Sequence, residues 1–374
     1  MKRFPFLSIF GVLLLLILAS AGIVLYAQGW RLDFLKRTVE KTGMVLAKSI
    51  PEGAKVYLDG KLLTATNSPI SNLKPGTYRL KIEKEGYALW EKDVPVEEGF
   101  VTDITALLPP LSPSLTAVTQ NGAKLITSAP SGNKALFVSK KELYLLNLTN
   151  PPLGFLRTSP QKITEETETF LLSKATKLAW SPNEDQVLIT LSTDSGQAQA
   201  YLVPVTGRNG RPTLVQNAPK LLESWRGAIK EQKTALIRGL ELSKELALEA
   251  VKSTTTWSPD ERKFLYEKST NGKRQFWVAN LSDPLPVGDK EHRMVWETES
   301  KTLELFWLAD SHHFVMIEGG TVSLLDLDGS NKRDLFSGEL AEPTALSTAD
   351  RSKIIILTSF TPKATPNLYA ISLR

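Results

Sequence analysis

The sequence predicts a mainly β protein in three parts: an N-terminal transmembrane helix, a small antiparallel β-sandwich and a β-propeller of about five to six blades. Three observations predict this order: an uncharged apolar run at residues 6–27, short alternating strands at 44–108, and a longer strand-rich repeat over 114–374. The length of 374 residues suits two or three domains.

The first part has the length of a membrane span. Residues 6–27 read FLSIFGVLLLLILASAGIVLYA, without a charged side chain. A helix of this length rises about 33 Å, enough to cross a hydrocarbon core of about 30 Å. A signal peptide cleaved near Ala19–Ala21 is the alternative. However, the apolar run continues past Ala21, whereas the apolar region of a signal peptide spans only about 7–15 residues. We expect an uncleaved anchor that contacts membrane lipid.

The distribution of charge favours a membrane surface over nucleic acid. The net charge is +5, and residues 1–43 hold six basic but only two acidic side chains, so the surplus flanks the apolar run. A nucleic-acid-binding domain would carry a basic stripe on its folded part, so no nucleic-acid partner is expected. Long C-terminal domains translocate largely regardless of flanking charge. We therefore expect residues 1–5 to form a cytoplasmic stub, 28–43 a juxtamembrane linker, and the folded domains to be extracytoplasmic.

Residues 44–108 have the pattern of a small antiparallel β-sandwich. Short alternating strands are separated by turn signals such as Pro75-Gly76 and Glu85-Gly86. Asp59-Gly60 can take the positive φ values that a tight hairpin needs. Alternation with a period of two places Tyr78, Leu80 and Ile82 on one face of a strand.

This segment resembles the PEGA family, which is named for the tetrapeptide Pro51-Glu52-Gly53-Ala54. Further elements of the family pattern follow in order, with V-x-L-D-G at residues 56–60, L-x-P-G-T-Y at 73–78 and E-G-Y at 85–87. The family's usual Gly-x-Thr-Pro turn is replaced here by TATNSPI at residues 64–70. The resemblance implies an extracytoplasmic module with a binding or spacing role.

Beyond residue 110 the chain carries a longer repeat. LAWSPNEDQVLITL begins at Leu178, TTWSPDERKFLYEK at Thr255 and LFWLADSHHFVMIE at Leu305, with looser copies at Ser128 and Leu346. Strand-rich units that recur every 40–50 residues or so are typical of propeller blades, and the W-S-P-D core resembles TolB-like and WD-type repeats. The final strand, PNLYAISL, is expected to complete the last blade. The alignment rests on the following turn residues: Pro130, Pro182, Pro259, Ala309 and Ala349.

The wide spacing between Pro182 and Pro259 requires an insertion. Residues 219–251 are rich in Leu, Ala, Glu and Lys, with apolar residues at helical spacing, and Gly239 is predicted to divide them into two helices. Two interpretations stay open. The helices form either an excursion on the propeller rim or a hairpin that docks a partner.

The sequence contains no recognisable catalytic or metal-binding motif. There is no cysteine, which excludes disulfides and thiolate chemistry. Of the three histidines, His292 is isolated, while His312 and His313 would point to opposite faces of a strand. Residues 326–331 resemble the start of a calcium-binding loop. Such a loop needs a glutamate at its twelfth position, where this chain, counted from Asp326, has none. A hairpin turn is therefore predicted. We assign no catalytic, cofactor-binding or metal-binding residue and expect no cofactor.

The pattern favours binding over catalysis. Trp180, Trp257 and Trp307 recur at one blade position, which indicates packing. We expect a single-pass surface protein whose PEGA module spaces a propeller from the membrane. A cell-wall glycan or a protein partner would bind the propeller loops or the helices at 219–251. One alternative is a propeller-type hydrolase or accessory subunit acting on glycan or peptide; a glycosidase would need two carboxylates about 5–9.5 Å apart. The other alternative is a purely structural envelope component.

Overall fold

The computed structural model describes the chain except for residues 1–3, 28–29, 34–37, 150–158, 194–195, 207–209 and 362–363. The chain divides into two compact units. Unit 1 comprises Met1–Leu108 with Pro284–Asp289, and unit 2 comprises Pro109–Asp283 with Lys290–Arg374.

Unit 1 begins with helix α1, Phe4–Ala27. Its side chains are described from Phe10 to Val24, and all of them are exposed; the exposed fraction of the leucines at 13–16 is between 49% and 67%. Within the part of the chain that the structure describes, no helix combines the length and the apolar character needed to span a membrane. Strands β1 (Trp30–Asp33) and β2 (Thr38–Lys41) then pair as a hairpin.

The remainder of unit 1 is a β-sandwich of two sheets. One sheet has the strand order β6-β3-β9 and the other β5-β4-β7-β8. The strands are β3 (Gly43–Ile50), β4 (Lys55–Leu58), β5 (Lys61–Ala65), β6 (Ser68–Leu73), β7 (Gly76–Glu83), β8 (Trp90–Val96) and β9 (Val101–Leu107).

The predicted antiparallel arrangement is wrong for one strand pair. Strands β3 and β9 run parallel, with Met44 opposite Val101 and Ile50 opposite Leu107. The reason is that β8 and β9 belong to different sheets. The direction of β9 is therefore set by a crossover between sheets, whereas a hairpin would impose antiparallel pairing.

The core of unit 1 confirms the alternation expected in β7. Leu80 and Ile82 are completely buried, and Tyr78 packs partly buried against the same cluster. The turn between β4 and β5 has φ values of 48° at Asp59 and 79° at Gly60, as the hairpin prediction requires.

Unit 2 consists of five four-stranded antiparallel sheets within its described residues, and we call these sheets blades 1–5 in chain order. A series of such sheets is the architecture of a β-propeller. Blade 1 contains β11 (Lys124–Ser128), β12 (Lys134–Ser139), β13 (Glu142–Asn147) and β14 (Gln161–Glu165). Blade 2 contains β15 (Ala175–Trp180), β16 (Gln186–Ser192), β17 (Ala198–Pro204) and β18 (Thr213–Leu214). Blade 3 contains β19 (Thr256–Trp257), β20 (Lys263–Thr270), β21 (Lys273–Asn280) and β22 (His292–Thr298). Blade 4 contains β23 (Glu304–Trp307), β24 (His313–Glu318), β25 (Thr321–Asp326) and β26 (Arg333–Ser337).

Blade 5 joins the two ends of unit 2. Its strand order is β10-β29-β28-β27, where β10 is Leu115–Ala117, β27 Leu340–Ser347, β28 Lys353–Thr358 and β29 Asn367–Ser372. The first strand of the unit thus pairs with the last, with Leu115 opposite Ile371. The prediction that the final strand completes the last blade is confirmed.

The insertion forms two helices, α2 (Ala218–Leu236) and α3 (Lys244–Ala250). Gly239, with φ at 85°, lies between them and confirms the predicted break. The two helices differ in burial. Leu246 and Ala250 of α3 pack with Phe264 of β20 in one buried cluster, whereas α2 contains no buried residue. Helix α3 is therefore part of the core of blade 3.

Candidate functional site

A cavity of about 320 Å³ in unit 2 is the candidate site. Its walls come from Leu148 and from four segments, which lie within residues 128–133, 257–261, 306–309 and 345–349. These segments contain the ends of the innermost strands of blades 1, 3, 4 and 5 and the turns that follow those strands. The volume lies at the small end of the range for ligand sites in proteins.

Equivalent turns in all five blades have the same geometry. In each turn an N–H donates to the carbonyl three residues earlier, from Gly132 to Ala129 and from Glu184 to Ser181 in blades 1 and 2. The residue that donates this bond takes a left-handed conformation, which is the hairpin form of a type I turn followed by a bulge. These left-handed residues, with φ between 57° and 72°, are Gly132, Glu184, Glu261, Ser311 and Arg351. The turn alignment made from the sequence is thereby confirmed.

Hydrogen bonds link the turns of successive blades. Between blades 1 and 2, the Ser131 hydroxyl donates to the Glu184 carboxylate at 3.0 Å. The backbone N–H of Asp260 donates to Ser311 Oγ at 3.0 Å between blades 3 and 4. Ala349 N–H donates to the Leu148 carbonyl at 2.9 Å between blades 5 and 1. These contacts fix the turns as a rigid rim around the cavity.

The three recurrent tryptophans each donate an indole hydrogen bond towards the preceding element. Trp180 bonds the Thr127 carbonyl at 3.3 Å and Trp307 the Thr256 carbonyl at 3.1 Å, both on the innermost strand of the blade before. Trp257 instead bonds the Ala250 carbonyl of α3 at 2.9 Å.

The prediction that these tryptophans serve packing holds fully for only one of them. Trp180 is buried in the core shared by blades 1 and 2, in agreement with the prediction. Trp257 and Trp307 are only partly buried and line the cavity beside Phe306. Since their N–H groups are bonded to the backbone, these side chains offer the cavity mainly aromatic surface.

Glu261 carries the one carboxyl group among the described residues that line the cavity, and none of them carries a basic side chain. Its side chain is exposed and stands at the left-handed position of the blade 3 turn. The pair of carboxylates that glycoside hydrolysis would need is therefore not present in this lining. Sequence reasoning missed Glu261 and Phe306, because nothing local distinguishes them from other blade residues.

A buried histidine lies between two carboxylates in blade 4. His313 Nδ1 lies 2.7 Å from Asp310 Oδ2, and its Nε2 lies 3.5 Å from Asp326 Oδ1. Burial alone would lower the pKa of His313, but the two carboxylates outweigh this effect and raise it to about 10. Burial likewise opposes ionisation of Asp310, yet the charge of His313 and the hydrogen bonds lower the pKa of Asp310 to about 2.

The segment at 326–331 is a hairpin turn between β25 and β26, as predicted. The N–H of Gly329 donates to the Asp326 carbonyl at 2.9 Å, and Asn331 Nδ2 donates to Asp326 Oδ2 at 3.1 Å. Asp326 thus bonds its own turn as well as His313. No group of acidic or histidine side chains in the described residues is arranged to hold a metal ion.

The N-terminal β-sandwich matches the model of a known domain family. Residues 42–112 match the model of the PEGA domain, which confirms the resemblance recognised in the tetrapeptide at 51–54. The match is confined to this segment, and the four-stranded sheets of unit 2 lie outside it and have the propeller arrangement that the repeats predict.

Comparison with solved structures returns proteins of low sequence identity. A TolB protein from Agrobacterium tumefaciens is 14% identical with a TM-score of 0.26, and the match covers 66% of this chain and 76% of that one. TolB from Acinetobacter baumannii is 13% identical with a TM-score of 0.25, over 79% and 60%. The Cps50 (Swd1) β-propeller of Myceliophteria thermophila is 10% identical with a TM-score of 0.34, over 69% and 99%. No curated protein matches this chain in sequence.

Proposed function

We propose that this chain is a single-pass membrane protein whose PEGA domain holds a β-propeller outside the cytoplasm, where the propeller binds a partner in the cell envelope. The cavity enclosed by the blade turns is the proposed binding site. The single observation that carries this assignment is its lining, which combines two tryptophans with a carboxylate on a rigid rim.

The anchor is supported by the composition of α1. A surface helix of a globular protein has an apolar stripe and a polar face, whereas a helix that is apolar on all sides needs an apolar environment. Residues 10–24 contain no charged side chain, and the described side chains of this stretch are all exposed. A lipid bilayer would cover such a surface completely.

The anchor and its orientation are tested by extraction and proteolysis. The full chain should stay in the membrane pellet at alkaline pH, which releases peripheral proteins. Protease added to cells with an opened outer envelope should degrade the folded domains and leave only the N-terminal segment protected. Release at alkaline pH would refute the anchor, and full protection until lysis would reverse the orientation.

The binding site is supported by its position and chemistry. Loops on a rigid scaffold are where proteins concentrate binding residues, and aromatic side chains supply much of the binding energy at interfaces. Trp257 and Trp307 offer such surfaces here, each held by an indole hydrogen bond of about 3 Å.

Photo-crosslinking in the native cells tests the site. A photoreactive side chain in place of the exposed Asn133, which lines the cavity, should give adducts with the partner. The same group at the exposed Glu223 on α2 tests the alternative that the helical insertion docks the partner. Adducts from position 133 alone support the cavity, adducts from position 223 alone support the helices, and adducts from neither position refute both.

A further inference from the structure

We infer that the cavity recognises a basic side chain, preferably an arginine, presented by a protein partner. This inference rests on the proposed binding role of the cavity and names the chemistry of its ligand. Three features of the cavity support it: the direction of the hydrogen bonds in the lining, the aromatic surfaces and the position of Glu261.

The hydroxyl protons of the lining are already used within the protein. Ser131 donates to Glu184, Ser258 to Asp260 Oδ1 at 2.6 Å, and Ser347 to the Thr348 carbonyl at 3.1 Å. Each hydroxyl therefore has only its oxygen lone pairs to offer a ligand.

The backbone N–H groups of the rim turns are used in the same way. Those of Gly132 and Glu261 close their own turns, and that of Asn133 donates to Ser131 Oγ. Those of Ala309 and Ala349 donate to the next blade. Apart from the side-chain amide of Asn133, the polar lining is thus dominated by acceptors, to which Glu261 adds a negative charge.

The aromatic surfaces favour the same kind of ligand. The face of a tryptophan ring carries partial negative charge and attracts cations, most often the guanidinium group of arginine. Trp257 and Trp307 are held in place by their indole bonds, and both residues line the cavity with Glu261. Their surfaces and the Glu261 carboxylate line one cavity.

This acceptor-rich lining discriminates between ligand classes. Each hydroxyl of a neutral glycan could donate one hydrogen bond to this lining, but its lone pairs and the ring oxygens also need donors. Few donors of the described lining are free to serve them, so a glycan matches the cavity only in part. An anionic group would be repelled by the Glu261 carboxylate and by the partial negative charge on the faces of the tryptophan rings. Arginine and lysine side chains donate hydrogen bonds and accept none, so they match the cavity in both charge and hydrogen bonding.

Calorimetric titration of the full chain in detergent tests the inference. The probe is Nα-acetyl-arginine amide, with Nα-acetyl-citrulline amide as the neutral analogue of the same shape and Nα-acetyl-lysine amide as the second cation. We expect the arginine probe to bind at least tenfold more tightly than the citrulline probe. Glu261→Gln should reduce arginine binding about tenfold and leave citrulline binding unchanged, whereas Glu223→Gln on α2 should change neither.

The possible outcomes separate this inference from the proposed function. Equal binding of arginine and citrulline probes would overturn the preference for a cation, while the cavity would still be a binding site. Binding of the arginine probe that Glu261→Gln leaves unchanged would place the cation elsewhere and also overturn the inference. If no probe binds although crosslinking from position 133 succeeds, the partner uses other chemistry and only this inference fails.

Discussion

Helix α3 should be necessary for the stability of blade 3 although it belongs to an insertion. Leu246 has only 7% of its surface exposed and packs with Phe264 and Tyr266, whereas Leu248, two residues further on, is 66% exposed. Replacing a buried leucine with alanine usually costs about 2–5 kcal/mol. Because α3 is a single short helix that can partly collapse onto the blade, we expect Leu246→Ala to cost about 2–3 kcal/mol.

Leu248→Ala is the matched control, since it makes the same change in helix propensity at an exposed site. It should alter the free energy of unfolding by less than about 0.5 kcal/mol. Urea unfolding of the full chain, followed by tryptophan fluorescence, measures both. With a denaturant dependence of about 1–3 kcal/mol per molar urea, Leu246→Ala should lower the midpoint of the unit 2 transition by roughly 1 M. Equal midpoints for the two variants would refute the assignment of α3 to the core.

Three further predictions concern the hairpin, the buried histidine and the closing strand. Gly60→Val should destabilise unit 1 by about 1–3 kcal/mol because φ is 79° at this position, and Gly60→Asn should destabilise it less. Thermal melts measure both variants. Equal melting temperatures for the two variants would show that the backbone at Gly60 is not strained by a β-branched side chain. His313 has its pKa raised to about 10, so its contribution to stability is fully present below about pH 6.5 and is lost as the pH rises through 10. Urea unfolding at pH 6 and pH 10 should show this loss in the native chain, and His313→Gln should lose less between the same pH values. Deleting residues 367–374 should unfold unit 2, because β29 pairs with both β28 and β10; an unchanged circular dichroism spectrum would contradict this.

The sequence predicted the features that local chemistry determines. The five blade turns were found because each contains proline or alanine followed by Asp, Asn or Ser, and a turn needs only neighbouring residues. The hairpin at Asp59-Gly60 was found for the same reason. The parallel pairing of β3 and β9 was missed because the paired residues are 57 positions apart, so no local pattern records it.

The candidate site was missed because it is assembled from distant segments. Trp257 and Trp307 were recognised as repeated residues, but their exposure in the cavity depends on how the blades are arranged. Glu261 resembles any acidic turn residue until the other described residues that line the cavity are known, none of which carries a basic side chain. Only the directions of the hydrogen bonds in the folded chain show that the lining is rich in acceptors.

The most direct test of the account is to block the cavity and measure partner capture. Ala349 is exposed at the cavity wall, and its backbone N–H, which bonds Leu148, would be retained in an Ala349→Trp variant. The photo-crosslinking yield from position 133 should then be compared between the Ala349→Trp chain and the chain with alanine at 349, at equal expression and equal melting temperature. If the cavity binds the partner, the yield falls at least tenfold; an unchanged yield would contradict the assignment of the cavity as the binding site.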